Sequence, residues 1–134
     1  MSEKPKPYYE REVDRLYKGD LFRPEQYVQV RQSKAFMEKY HAERIELNDL
    51  AKAAFMSRFY YIRIFQRMYG LTPRNYLRDL RISKAKKLIK KGLSITQVCF
   101  DVGYESLPTF SAVFKKCTGY TPREYRKLHK SNLE

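Results

Sequence analysis

The stretch FQRMYGLTPRNYLR, residues 65–78, returns forty-nine residues later as FKKCTGYTPREYRK, residues 114–127. Six residues recur at one offset: Phe65/Phe114, Gly70/Gly119, Thr72/Thr121, Pro73/Pro122, Arg74/Arg123 and Tyr76/Tyr125. Each copy carries the chemistry of a corner between two helices. A glycine just past a run of helical period takes up the left-handed conformation that ends a helix. Thr-Pro then supplies a capping hydroxyl and a ring whose φ already suits the first helical turn. The repeat therefore predicts the same helix, corner and helix twice.

Upstream of the first corner, Ser57 is a good N-cap for RFYYIRIFQRMY. Before it, LNDLAKAAF reads as a short helix with Leu47, Leu50, Ala51 and Ala54 on one face. Its cap position, Glu46, is a poor N-cap, which predicts a frayed start. In the second copy Ser94 caps ITQVCFDV, Gly103 turns the chain, and Ser106 caps LPTFSAVFKKCT. The first helices of the two copies align at an offset of forty-eight (Leu47/Ile95, Leu50/Val98, Ala51/Cys99), so the second turn, which holds Gly103, carries one extra residue. Two short helices, a tight turn and small crossing residues (Ala51, Ala54, Cys99) describe a helix-turn-helix.

Between the copies, PRNYLRDLRISKAKKLIKK reads as one helix ending at Gly92. At about 1.5 Å per residue it is a rod of roughly 27 Å, commensurate with the roughly 34 Å between successive major grooves. Pro24 opens a further helix running to about Ala42, with Tyr27, Val30, Phe36 and Tyr40 expected inward. Period-two alternation is nearly absent, so the chain reads as all-α. Its expected organisation is an arm over 1–23, a first lobe over 24–70, a linker helix over 71–92 and a second lobe over 93–134, whose last helix frays into a polar tail.

The formal net charge is +13 over 134 residues. Residues 1–50 hold 10 Lys/Arg and 10 Asp/Glu, whereas residues 51–134 hold 18 and 5. A basic region segregated in this way points to a polyanion, most often nucleic acid. No run of 18 apolar residues exists, so no membrane span is expected. MSEKPKPYYERE lacks the apolar core of a signal peptide, and the cytoplasm is the expected compartment. Cys99 and Cys117 are too few and too far apart for a zinc ribbon, and both are expected in the core. His41 and His129 show no metal-ligand spacing, with His129 expected to be solvated in the tail. No Gly-rich phosphate loop or nucleophile motif is present, so neither enzyme, cofactor nor metal is expected.

The first unit reads LA-x5-S-x5-R-x-F-x4-G-x-TP-x2-Y-L from Leu50 to Leu77. The connecting helix carries Arg81, Ile82, Ala85, Leu88 and Ile89. The second unit carries Ser94, Ile95, Val98, Cys99, Gly103, Tyr104, Phe110, Phe114, Gly119, Thr121, Pro122, Tyr125 and Arg126. Over about residues 30–127 this pattern resembles the AraC/XylS family of bacterial transcription regulators. The resemblance implies two helix-turn-helix lobes whose second helices enter successive major grooves of double-stranded DNA. One chain then spans the site as a monomer. It leans towards activation, with RNA polymerase as the partner. Larger members carry a separate ligand-binding or dimerisation domain. Here about 30 residues precede the resemblance, so either abundance or partners set activity, or the chain is the DNA-binding fragment of a larger ligand-sensing regulator. A basic module for RNA or anionic membrane is the rival reading of the charge alone.

On a helical wheel, Tyr61, Phe65 and Met68, with Ile64 beside them, form the core stripe of the first reader helix. The opposite face centres on Phe59, Arg63 and Gln66, flanked by Tyr60, Ile62 and Arg67. Arg63 suits a bidentate bond to guanine, and Phe59 or Ile62 suits a thymine methyl. The resemblance carries base reading onto Arg58, Phe59, Tyr60, Ile62 and Arg63. The alternative for Phe59 and Tyr60 is packing against the N-terminal helix, the one that Pro24 opens. The family has Leu where Tyr61 stands, which predicts different packing there. In the second reader, Phe110, Val113, Phe114 and Cys117 form the expected core stripe. Leu107, Pro108, Thr109, Ser111 and Ala112 are its base-reading positions. Many members have Arg where Ala112 stands, so the first lobe is expected to supply most base-specific readout. Ser57, Arg67, Ser106, Lys115, Lys116 and Arg123 are expected on the DNA backbone. Arg81, Lys84, Lys86, Lys87, Lys90 and Lys91 of the linker are further candidates.

Overall fold

Capping chemistry sets most of the helix ends. The computed structural model describes residues 22–130, so the expected arm lies outside the described residues except for Phe22 and Arg23. Seven helices and no strand are found among those residues. They are α1 (Pro24–Lys39), α2 (Leu47–Ala53), α3 (Arg58–Tyr69), α4 (Pro73–Lys90), α5 (Ile95–Asp101), α6 (Leu107–Thr118) and α7 (Pro122–Lys130). Ser57, Ser94 and Ser106 each sit in extended backbone and accept a bond from the N–H three residues on, as an N-cap serine does. At α7 the cap is reciprocal. The Glu124 N–H donates to Thr121 Oγ1 (3.1 Å) and the Thr121 N–H donates to Glu124 Oε1 (3.3 Å), a capping box. Glu46, at the start of α2, spends its carboxylate on Arg44 Nε at 3.0 Å.

Two compact units divide the chain. The first comprises described residues 22–34 with Leu47–Pro73, and the second Ala35–Glu46 with residues 74–130. In the first, Phe22, Val30, Leu50, Ala51, Ala54, Tyr61, Ile64 and Phe65 are buried. The small Ala51 and Ala54 lie where α2 and its turn lead into α3. In the second, one cluster joins Ile82, Ala85 and Ile89 of α4 to Val98, Cys99, Val102, Phe110, Phe114 and Tyr125. The 3–4 spacing of the α4 residues puts one stripe of that helix on this core. Each fully buried aromatic there is worth about 2–3 kcal/mol of transfer free energy.

Some inward positions differ from expectation. Along α1 the buried stripe is Val30, Ser33 and Met37, whereas Phe36 and Tyr40 are 46% and 39% exposed. Those two rings instead face each other at 4.8 Å on the surface. Residues 30, 33 and 37 follow helical period, and 36 and 40 lie roughly a quarter-turn off it. Tyr27 is half-buried, its ring 5.9 Å edge-on from Phe22. Cys99 is buried as expected, but Cys117 is exposed, because the α6 stripe runs out of core in its last turn. Met68 is only half-buried for the same reason at the end of α3. His129 lies within α7, half-buried, with its ring 4.2 Å from that of Tyr125.

The turns inside the two copies share one geometry. In the second, the Tyr104 N–H donates to Cys99 O (3.0 Å) and the Gly103 N–H to Phe100 O (3.1 Å). In the first, the Met56 N–H donates to Ala51 O (2.9 Å) and the Phe55 N–H to Lys52 O (3.0 Å). Both are Schellman caps, which require a left-handed residue at the matched position. Gly103 meets that need with φ +105°. Phe55 meets it with φ +57°, the one non-glycine residue of positive φ among those described.

Candidate nucleic-acid interface

Two serine-capped helix starts, those of α3 and α6, present most of the residues expected on DNA. Ser57 Oγ accepts from the Tyr60 N–H at 3.1 Å and fixes where α3 begins. Arg58 and Phe59 then open the helix on the surface, with Gln66 and Arg67 exposed two turns later. Ile62 and Arg63 are half-buried between them. Arg63 holds its guanidinium 4.6 Å over the Phe59 ring, a cation–π contact that limits the rotamers of both side chains. Tyr60 is turned another way. It is half-buried, with its ring 5.4 Å edge-on from Phe22, which lies just before α1. No Asp or Glu lies in α3.

The face opposite is core. Tyr61, Ile64 and Phe65 are fully buried. Tyr61, where the resemblance has Leu, places its hydroxyl 2.6 Å from Ser33 Oγ. Ser33 gives its own proton to Val30 O (2.6 Å), so Tyr61 is the donor of the pair. Burial pushes the Tyr61 hydroxyl up to about 12, with the Ser33 bond opposing part of that rise.

In the second copy, Ser106 Oγ accepts from the Thr109 N–H at 3.4 Å and Pro108 lies in the first turn of α6. Leu107, Pro108, Thr109, Ala112, Lys115 and Lys116 are exposed, and Ser111 is half-buried. A groove of about 420 Å³ brings Leu107, Pro108 and Ser111 together with Arg123 and Pro122 of α7 and Thr96 of α5. Ser106 and Thr109 border a second groove, of about 620 Å³, with Phe100 and Tyr104. Neither Thr96 nor Thr121, which the sequence marked only as a helix cap, was singled out as a DNA contact, although each stands within two residues of a helix start, where hydroxyls and N–H groups gather. Hydrogen bonding to the side chain and backbone of Thr121 holds the Glu124 carboxyl below its usual range.

Arg81 has a different role from the phosphate contact considered for it. Its Nε donates to His41 O (2.8 Å) and its Nη2 to Glu43 O (3.0 Å), which ties the segment after α1 to α4. Burial lowers its pKa, yet the guanidinium stays charged and sits 5.6 Å over the Tyr104 ring. The repeated tyrosines also part company. Tyr76 donates its hydroxyl to Glu38 Oε1 at 2.6 Å, while Tyr125 is buried edge-on to Phe114. Among the described residues, no group of three or more His, Cys, Asp or Glu is placed to hold a metal. No helix there is long and apolar enough to cross a membrane.

Residues 50–128 match the family described as a helix-turn-helix domain. The uncharacterised HTH-type transcriptional regulator YdeC of Bacillus subtilis is 36% identical over 91 residues, which are 67% of this chain and 31% of that protein. The chain thus spans about a third of the length of that relative. The C-terminal domain of AraT, a response regulator from Geobacillus stearothermophilus, superposes with a TM-score of 0.71 at 27% identity, over 75% of this chain and 84% of that one. The DNA-binding domain of AdpA, a global transcriptional factor solved with a target DNA, gives 0.73 at 24% identity over 77% and 94%, a likeness of fold.

Proposed function

Because the chain belongs to the AraC-type family of helix-turn-helix regulators, we propose that it binds double-stranded DNA sequence-specifically and regulates transcription. The observation that carries this reading is the pair of serine-capped helices α3 and α6. Neither holds an acid, and each turns cations and small or apolar side chains outward. Such a face suits the major groove, where Arg63 reads guanine and Phe59 or Ile62 meets a thymine methyl. Arg58 and Gln66 complete the first reader. Thr109, Ser111 and Ala112, with Leu107 and Pro108, form the second, which has fewer hydrogen-bonding groups. The first lobe therefore carries most of the sequence preference.

Ser57, Arg67, Ser106, Lys115, Lys116 and Arg123 hold the backbone, the cations neutralising phosphates and the capped helix starts offering N–H groups. Two readers in one chain occupy two successive major grooves as a monomer. Activation through RNA polymerase, in the cytoplasm, is the regulatory mode the family favours. This reading gives the chain no catalytic role. Selection of bound sites from random duplexes tests the reading. Two preferred blocks centred about 10 base pairs apart are expected, the sharper one under α3. Equal retention of structured RNA, or no enrichment of any duplex, overturns it.

A further inference from the structure

Phe55 combines two features that stability alone does not favour. Its backbone is left-handed at φ +57°, and its ring is 86% exposed, the most exposed large apolar side chain among those described. The matched position of the second copy is Gly103, held in the same Schellman cap. The cap demands the conformation and glycine supplies it without strain, so the phenyl ring is not there for the turn. Nor does it serve the core, which it does not enter. A side chain kept at a strained position and offered to solvent is a contact residue for something else.

The surroundings favour one partner. Phe55 stands two residues before Ser57, which caps the reader helix α3. Lys52 and Arg58, three residues to either side, are both exposed. From Ala51 to Arg78 the chain holds no Asp or Glu at all, and six Lys or Arg. Asp49, in the first turn of α2, is the one acid of that helix, and an aromatic ring with cations three residues to either side, and no charges but cations onward through α3, suits a polyanion.

We infer that Phe55 is an additional DNA anchor of the first lobe. Its ring lies against deoxyribose beside the groove that α3 enters, while Lys52 engages a neighbouring phosphate. The inference rests on the DNA-binding reading above. The contact touches sugar and phosphate only, so it adds affinity without sequence preference. The second copy, with glycine at this place, lacks it.

The test compares the full chain with Phe55→Gly and Phe55→Ala on the selected duplex and on a scrambled one at fixed salt, alongside thermal melting. Phe55→Gly is expected to melt a few degrees higher, because it relieves the left-handed strain. It is also expected to bind both duplexes about tenfold more weakly. Phe55→Ala, which keeps the strain, loses the same affinity without the gain in melting temperature. Wild-type affinity for the selected duplex in a folded Phe55→Gly variant overturns the inference and makes the ring a protein contact. Failure of the wild-type chain to prefer any duplex instead overturns the DNA-binding reading, and the anchor with it.

Discussion

The hydroxyl of Tyr61 lies 2.6 Å from Oγ of Ser33, and both residues are shielded from water. Ser33 has already donated to Val30 O, so its lone pair is what satisfies the buried phenol. Ser33→Ala strands that hydroxyl and is expected to cost about 1–3 kcal/mol in urea unfolding. Tyr61→Phe should cost less, because Ser33 keeps its bond to the carbonyl. The double variant is expected near Tyr61→Phe alone. Purely additive losses would show that the two hydroxyls are not coupled.

The same phenol makes stability pH-dependent at the alkaline end. Its folded pKa of about 12 lies above the usual value near 10. Below pH about 10 both states keep the proton and the contribution is whole. Between about 10 and 12 the unfolded chain releases it and the folded chain does not, so stability falls as pH rises. The loss should be on the order of 2 kcal/mol, seen as a falling urea midpoint. Tyr61→Phe should flatten that limb, and an unchanged slope would rule out Tyr61 as its source.

Two glycines of positive φ should respond unequally to alanine. At Gly70, φ +79°, a Cβ meets nothing within 4 Å, so alanine introduces only backbone strain, a loss of about 1 kcal/mol of stability. At Gly103, φ +105°, a Cβ would lie 2.7 Å from His41 O and 2.9 Å from Arg81 Nε. Displacing the His41–Arg81 bond adds to the strain, and Gly103→Ala is expected to cost about 3 kcal/mol in thermal unfolding. Equal shifts for the two would mean the segment at His41 yields freely.

DNA affinity should separate reading from holding. Arg63→Ala is expected to lose about 1–3 kcal/mol on the selected site and to relax one base position. Lys116→Ala should weaken every duplex alike and reduce the salt slope by about 1. Phe59→Ala frees the Arg63 guanidinium from its ring, so it should blur the same base position that Arg63→Ala relaxes. Filter binding over a panel of single-base variants distinguishes these outcomes.

The corners were legible because their chemistry is local. Ser57, Ser94 and Ser106 cap, and Gly70 and Gly119 stop, through bonds to residues no more than four positions away. The buried face of α1 was less legible. Apolar residues lie all round that helix, and a serine belongs to the face that is buried. Its bond to Val30 O and the phenol of Tyr61, 28 residues away, together make Ser33 suitable for the core. Arg81 misled for a similar reason, since a cation on a basic helix looks solvated until backbone carbonyls 38 and 40 residues earlier take its donors.

By itself, the sequence determined the repeated helix-turn-helix pattern, its punctuation and the outward faces of α3 and α6, because helical period and capping act within a few residues. Tertiary structure decided which matching residues share a fate. Tyr76 bonds Glu38 where Tyr125 is buried on Phe114, and Cys99 is enclosed where Cys117 is not. It also decided that Phe55 must adopt the left-handed geometry that Gly103 adopts without strain. These outcomes depend on what packs from elsewhere in the chain and on the backbone angles a cap imposes, neither of which a spacing of residues contains.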